Sequence, residues 1–339
     1  MLFGVCALLV VGASWCLVGI VFGRAPKEGI DTGLIQFTSS IVSISASLII
    51  ATFFIPPAPC PKEVVIITCS IYFLQGFLNF WGLQCLGKAM KCGPNGVVWC
   101  IAQSALISPF TAGFLFFQQP LNTPRCAGLL LLLAALVLFA KGKKNNPDQA
   151  EEGNWRFFAL LALAIFSVQQ CFDTTPSYFE SCRKVSPVLR AMSSASGVFT
   201  ASLVPFIATA IRSFEKIKKM FSGAKNPRLY IYVFGMQFFS LIFAYTLAYP
   251  GKDAMAAAGA GSVIYPLQVG SCIVSFSLYS ILALKEKTSP VQFLAIGLCL
   301  LGLAGLCFPP DFNVFAPNEA YRSFSFSFFG WERLLKFYP

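Results

Sequence analysis

The chain has 339 residues, of which 56% are hydrophobic and only 12% charged, with a mean hydropathy of +0.70 and a formal net charge of +11. Soluble domains carry about 25% charged residues, so this composition excludes an ordinary water-soluble fold. Apolar runs long enough to cross a bilayer recur along the chain and make it a polytopic membrane protein. The basic residues sit in short loops between these runs, as in cytoplasmic loops of membrane proteins. They form no stripe with interleaved aromatics, which excludes nucleic-acid binding.

Ten transmembrane helices are predicted, over about 2–23, 32–55, 64–87, 95–117, 124–141, 157–173, 186–211, 229–249, 256–284 and 290–308. The first has a long apolar stretch and no basic residues ahead of it, so it reads as a helix and not as a signal peptide. Pro, Gly and charge cluster at the breaks, as in PPAPCPKE at 56–63 and KEKTSP at 285–290. The hydrophilic gap at 141–156 divides the spans five and five. Residues 309–339 form an aromatic tail with scattered charge, expected to lie at the membrane interface or to be disordered.

The two halves echo each other. GVVWCIAQS at 96–104 and GSVIYPLQV at 261–269 share Gly, Val and Gln in register. QFTSS at 36–40 aligns with RAMSS at 190–194, and IYFLQGF at 71–77 aligns with YVFGMQF at 232–238. QQPLNTP at 118–124 meets LKEKTSP at 284–290, each before a Gly-bearing apolar helix with Gly128 or Gly297. The collinear order of these matches reads as a duplication. Because each copy has an odd number of spans, the second enters the membrane from the opposite side, giving an inverted repeat. The expected fold is therefore an all-α membrane protein of ten transmembrane helices in two inverted five-helix repeats. The units are 1–145 and 146–308, followed by the tail at 309–339.

Loop charge gives the expected orientation. The loops on the side of residues 24–31 hold 16 Lys and Arg, against five on the other side (Lys62, Arg125, Arg183, Lys184 and Lys252) and three in the tail. The positive-inside rule then places both termini outside the cell or inner membrane.

The second unit ends in SLYSILALKEKTSPVQFLAIGLCLLGLAGL, with Glu286 after an apolar helix end and Gly297 eleven residues on. This resembles the C-terminal half of an EamA-type repeat of the drug/metabolite transporter superfamily. The first unit departs from the pattern, with Gln118, Gln119 and Pro120 where the acid is expected. The resemblance reaches to about Phe308 and implies a carrier of small organic solutes. The ten-span layout and neutral polar interior are similar to the sugar–proton symporter branch, such as the rhamnose transporters. From the residues alone, Glu286, between Lys285 and Lys287, reads as a structural helix-end group.

A polar side chain deep in a span needs a partner helix or a cavity. Gln36, Gln75, Gln103, Gln237 and Gln268 fall within predicted spans, and Asn79 lies one turn beyond Gln75. Gln75 pairs with Gln237, Gln103 with Gln268, and Gln36 with Arg190 across the repeat. The expected arrangement is a set of amides around a neutral or zwitterionic solute near the midplane; interhelical hydrogen bonding is the alternative. Trp99 and Tyr265, three to four residues before the repeated Gln, would add aromatic faces. Arg190 is expected either to hold an anionic group or to snorkel from the helix end. Asp173 and Glu180 are its candidate partners, or proton sites if transport is coupled.

Other functions find less support. The 13 cysteines contain no CxxC and there is no histidine, so no metal, cofactor or disulfide framework is expected. No GxxxxGK[ST] is present to bind ATP, and no nucleophile–base motif points to an enzyme. The expected function is secondary transport of a small polar solute by alternating access. The alternatives are an efflux carrier for drugs or amino acids, or a non-transporting scaffold or receptor. The expected partners are the solute and the lipid bilayer, with a coupling ion and a homodimer both left open.

Overall fold

Apolar runs without nearby water must bond their backbone groups internally, and here every described element is helical. The computed structural model describes residues 1–54, 60–93, 95–142, 154–212, 215, 223–283 and 289–309. Among them, nine helices are long and apolar enough to cross a membrane. In chain order these first nine spans are Leu2–Phe22, Thr32–Phe53, Lys62–Cys92, Val97–Leu115, Thr123–Ala140, Trp155–Tyr178, Pro187–Thr209, Pro227–Ala257 and Gly261–Tyr279. Pro290–Leu306, a shorter apolar helix of 17 residues, stands where the tenth is expected. The expected tail beyond Pro309, the stretch 143–153 and the Lys285–Glu286–Lys287 group lie outside the described residues.

Local chemistry sets the helix starts. Asn226 caps the eighth span by accepting from the Arg228 N–H at 3.0 Å, with Pro227 in the first helical position. Ser289 and Gln292 form a capping box ahead of the last helix, again with Pro at its first position. Three spans are interrupted internally. The first breaks at Trp15, between helices Leu2–Ser14 and Cys16–Arg24. The fourth tightens to a 3-10 turn at Ser104–Leu106, directly after Gln103. The eighth widens to a π-helical turn at Ala244–Ala248. Such irregular turns re-aim the side chains that follow.

Packing, not apolar burial, holds helices together in lipid. The first span packs on the eighth and ninth, and the sixth on the third and fourth. The second packs on the seventh and eighth, and the third on the seventh. The fourth packs on the fifth and ninth, the ninth on the tenth, and the fifth on the tenth. The ninth span is the innermost, with 72% of its apolar window buried, whereas the eighth has 11% and turns most of its length outward. Glycine sets the closest approaches. A Cβ on Gly76 would collide with the Ser194 carbonyl oxygen, and one on Gly197 with that of Phe73, so the third and seventh spans touch backbone to backbone. Gly128 and Gly302 do the same for the fifth and tenth.

The eighth helix runs on to Ala257 instead of stopping near 249. Pro250 sits in its first turn after the π segment, where a missing N–H is tolerated, so the Pro-Gly pair does not end the span. Lys252 is therefore not a loop cation, contrary to the expectation from the breaks. Arg125, also counted with the loops, is 1% exposed and donates to the carbonyls of Phe308 and Gly259. Lys62, Arg183 and Lys184 remain on that side.

Candidate functional site

Four charges from three spans meet at one end of the bundle, where the sixth span leads to the seventh and the eighth to the ninth. Asp173 lies at the end of the sixth helix, Arg190 in the first turn of the seventh, and Lys252 and Asp253 in the last turns of the eighth. Arg190 Nη1 donates to both Asp253 carboxylate oxygens, at 3.0 and 2.9 Å. Its Nη2 donates to the Cys182 carbonyl at 2.7 Å, in the short helix Glu180–Arg183 between the two spans. Its side chain is 0% exposed, so Arg190 neither snorkels nor pairs with Asp173 or Glu180. Lys252 instead donates to Asp173 Oδ2, and the Tyr265 hydroxyl donates to the same oxygen at 2.6 Å. Charges are retained in such a setting only when paired and hydrogen-bonded. Here two cations and two carboxylates balance.

Tyr249 joins the two pairs. It sits three and four residues before Lys252 and Asp253, on the same helix face. Its ring centroid is 5.8 Å from the Arg190 guanidinium carbon and 5.2 Å from Lys252 Nζ, distances at which a cation is drawn to a ring. Tyr72 of the third span meets Tyr249 edge-on at 5.1 Å. The buried Tyr72 hydroxyl lies beside that of Ser177.

The glutamines separate into two kinds. Gln75 Oε1 accepts from Ser194 at 2.7 Å, joining the third span to the seventh. Gln237 Oε1 accepts from Ser43 at 2.5 Å, joining the eighth to the second, with Ser47 and Tyr245 bonded at 2.7 Å nearby. These two are interhelical links. Gln36 and Gln268 differ: they are 4% and 0% exposed, and neither end of either amide has a partner. Buried polar atoms are nearly always bonded, which makes these two amides the candidates for holding a polar group from outside the chain. Gln103 is half-buried at the break in the fourth span, and Asn79 is half-buried in the third. No hydrogen bond joins any two of the five glutamines among the described residues.

Two aromatics lie near Gln268. Tyr265 is one turn before it and lies 5.9 Å from Trp15, at the break in the first span. Farther along, Gly19 leaves room for Phe276 and Trp99, which a Cβ there would meet at 3.5 and 3.7 Å. The structure thus brings Asp173, Arg190 and Tyr265 to one end. Gln268, Trp15 and Trp99 lie along the first and ninth spans farther in. Glu180 stands apart, 3.7 Å from Lys184 with both side chains mostly exposed.

Sequence reasoning did not single out Lys252, Asp253, Tyr249 or Tyr72. The available signal was AMAAAGAG directly after Lys252-Asp253, an apolar continuation that places both charges inside a helix.

No family model and no curated protein matches the chain. Twenty-four solved chains match it by fold. One, described only as the crystal structure of a protein, superimposes with a TM-score of 0.62 at 14% identity, covering 90% of this chain and 95% of that one. At that identity the likeness concerns the fold alone.

Proposed function

We propose that the chain is a secondary transporter of a small polar organic solute, built as two inverted five-span halves of the EamA-like kind and working by alternating access. The observation that carries this reading is the pattern of helix pairing. Replacing each span by the one five places along turns first-on-ninth into sixth-on-fourth, and third-on-sixth into eighth-on-first. Third-on-seventh becomes eighth-on-second, and fourth-on-fifth becomes ninth-on-tenth; fifth-on-tenth returns to itself. A scheme whose main pairings are preserved by that exchange is what a duplicated unit inserted in both directions would produce. Gln75 and Gln237, paired across the repeat, make the same bond to a serine of an exchanged partner span.

The orphaned amides of Gln36 and Gln268, with Trp15 and Tyr265 near the latter and Trp99 farther along the same spans, support a solute site among the first, second, fourth and ninth spans. Amide groups beside aromatic faces suit a neutral or zwitterionic solute. The four-charge cluster supports a closed end in this conformation. Opening that end would require the Arg190–Asp253 and Lys252–Asp173 pairs to part, leaving Asp173 as the buried carboxylate available for proton coupling.

The test is a ligand screen of the purified full chain by thermal shift, followed by flux into liposomes. Sugars, nucleosides, amino acids and amines are the compounds to screen. A compound that raises the melting temperature of the wild type but not of Gln268→Leu, and that crosses the bilayer only with the protein, supports the reading. Binding without flux would instead indicate a receptor.

A further inference from the structure

Lys252 lies in a formed cage. Its side chain is 5% exposed, and its ammonium meets Asp173 together with the rings of Tyr249 and Tyr265, whose centroids are 5.2 and 5.9 Å away. We propose that Asp173, Tyr249 and Tyr265 form a receptor for a primary ammonium group, which the chain's own Lys252 fills in this conformation.

The walls do not depend on the lysine. Asp173 is held by the Tyr265 hydroxyl at 2.6 Å, and Tyr249 rests edge-on against Tyr72. The neighbouring Asp253 is anchored by Arg190 and not by Lys252. The three groups come from the sixth, eighth and ninth spans, so the cage is a product of their packing and would persist if the Lys252 side chain were removed. It would then hold a buried carboxylate with no cation beside it, and this is a strong demand for a replacement.

The walls also select the replacement. One carboxylate and two ring faces suit an ammonium that donates to the acid and lies against the rings. An inorganic cation seeks a shell of oxygen ligands instead. A quaternary ammonium has no N–H to donate to Asp173 and is bulkier than the lysine tip. Lys252 reaches the cage on a flexible stem from the last turns of the eighth span, just after its π-helical turn, and so acts as a tethered plug. The assignment holds whether or not the chain carries a solute. Taken with the transport reading above, it adds primary amines to the solutes that would compete at this end when the plug withdraws.

The test uses the full chain in detergent and the variants Lys252→Ala and Lys252→Ala/Asp173→Asn. Each is melted in ethylammonium, sodium and tetramethylammonium chlorides at equal ionic strength. The expected result is a lowered melting temperature for Lys252→Ala that ethylammonium raises by several degrees and the other two salts do not. The double variant and the wild type should show no such rise. An absence of amine-selective recovery in Lys252→Ala, or an equal rise in the double variant, would overturn the assignment. If Lys252→Ala aggregates on extraction, extraction is repeated in ethylammonium. Monodisperse protein recovered only with the amine supports the cage, and aggregation in every salt overturns it. Failure of flux assays leaves these outcomes untouched, so the two readings fail separately.

Discussion

Arg190 and Asp253, 63 positions apart in the chain, form an ion pair in which one guanidinium nitrogen donates to both carboxylate oxygens, tying the seventh span to the eighth. Breaking a buried pair by removing one partner strands the other charge and costs about 3–5 kcal/mol. Asp253→Ala is expected to destabilise the protein by that amount, and Arg190→Ala by a similar one. The double variant should cost clearly less than the two singles together, because neither charge is then stranded. Denaturation of the three variants in detergent measures this, and simple additivity would contradict the pairing. Glu180→Ala is the control: its exposed pair with Lys184 is worth about 0.2–1 kcal/mol at most.

Cys182 reports on the same lock. Its carbonyl accepts from Arg190, and the residue is 1% exposed. Burial pushes its thiol above the usual range, with the nearby Thr68, Ser181 and Arg190 only partly opposing. A raised thiol carries less thiolate near neutral pH and reacts slowly. In a background lacking the other cysteines, maleimide labelling of Cys182 should be slow at neutral pH and quicken as pH rises. Asp253→Asn should speed it at any one pH. Rapid labelling of the otherwise unaltered background would contradict the closed end.

Gln268 and Gln75 should respond differently to the same change. Gln268 is wholly buried with both amide ends unpaired, so Gln268→Leu removes two unsatisfied groups and should leave stability unchanged or raised. Gln75→Leu breaks the bond to Ser194 and should cost about 0.6 kcal/mol, the average found for interhelical bonds in membranes. If Gln268 faces a solute, its variant keeps its fold and loses binding. Paired melting and ligand-shift measurements separate the two residues.

Glycines make a third contrast. Gly76→Ala would press a methyl group onto the Ser194 carbonyl and should cost about 1–3 kcal/mol by overpacking the third and seventh spans. Gly297→Ala meets nothing within 4 Å and should be neutral or stabilising by up to about 1 kcal/mol, the helix-propensity difference. Comparable losses at both sites would argue against the backbone contact.

The amino-acid sequence by itself determined that this is a multi-span helical membrane protein, because bilayer thickness and backbone hydrogen bonding leave an apolar chain few choices. Span positions followed to within a few residues, since each is a local property of composition. The junction of the eighth and ninth was the exception: Pro250 and Gly251 resemble a break, and only the helix continuing through a π turn to Ala257 showed Lys252 and Asp253 to be inside the eighth and the ninth to begin at Gly261 and not at 256. The glutamines were legible as polar groups in spans, and Asp173 and Arg190 as ionisable groups near span ends. Which of them bond and which stay unpaired was decided by tertiary structure. Gln75 finds Ser194 and Gln36 finds nothing, though both sit in apolar helices of similar character. The charge partners were hidden for the same reason. Arg190 lies ten residues from Glu180 but bonds to Asp253, because electrostatic pairing inside a bundle follows which helix faces meet, and separation along the chain carries no record of that.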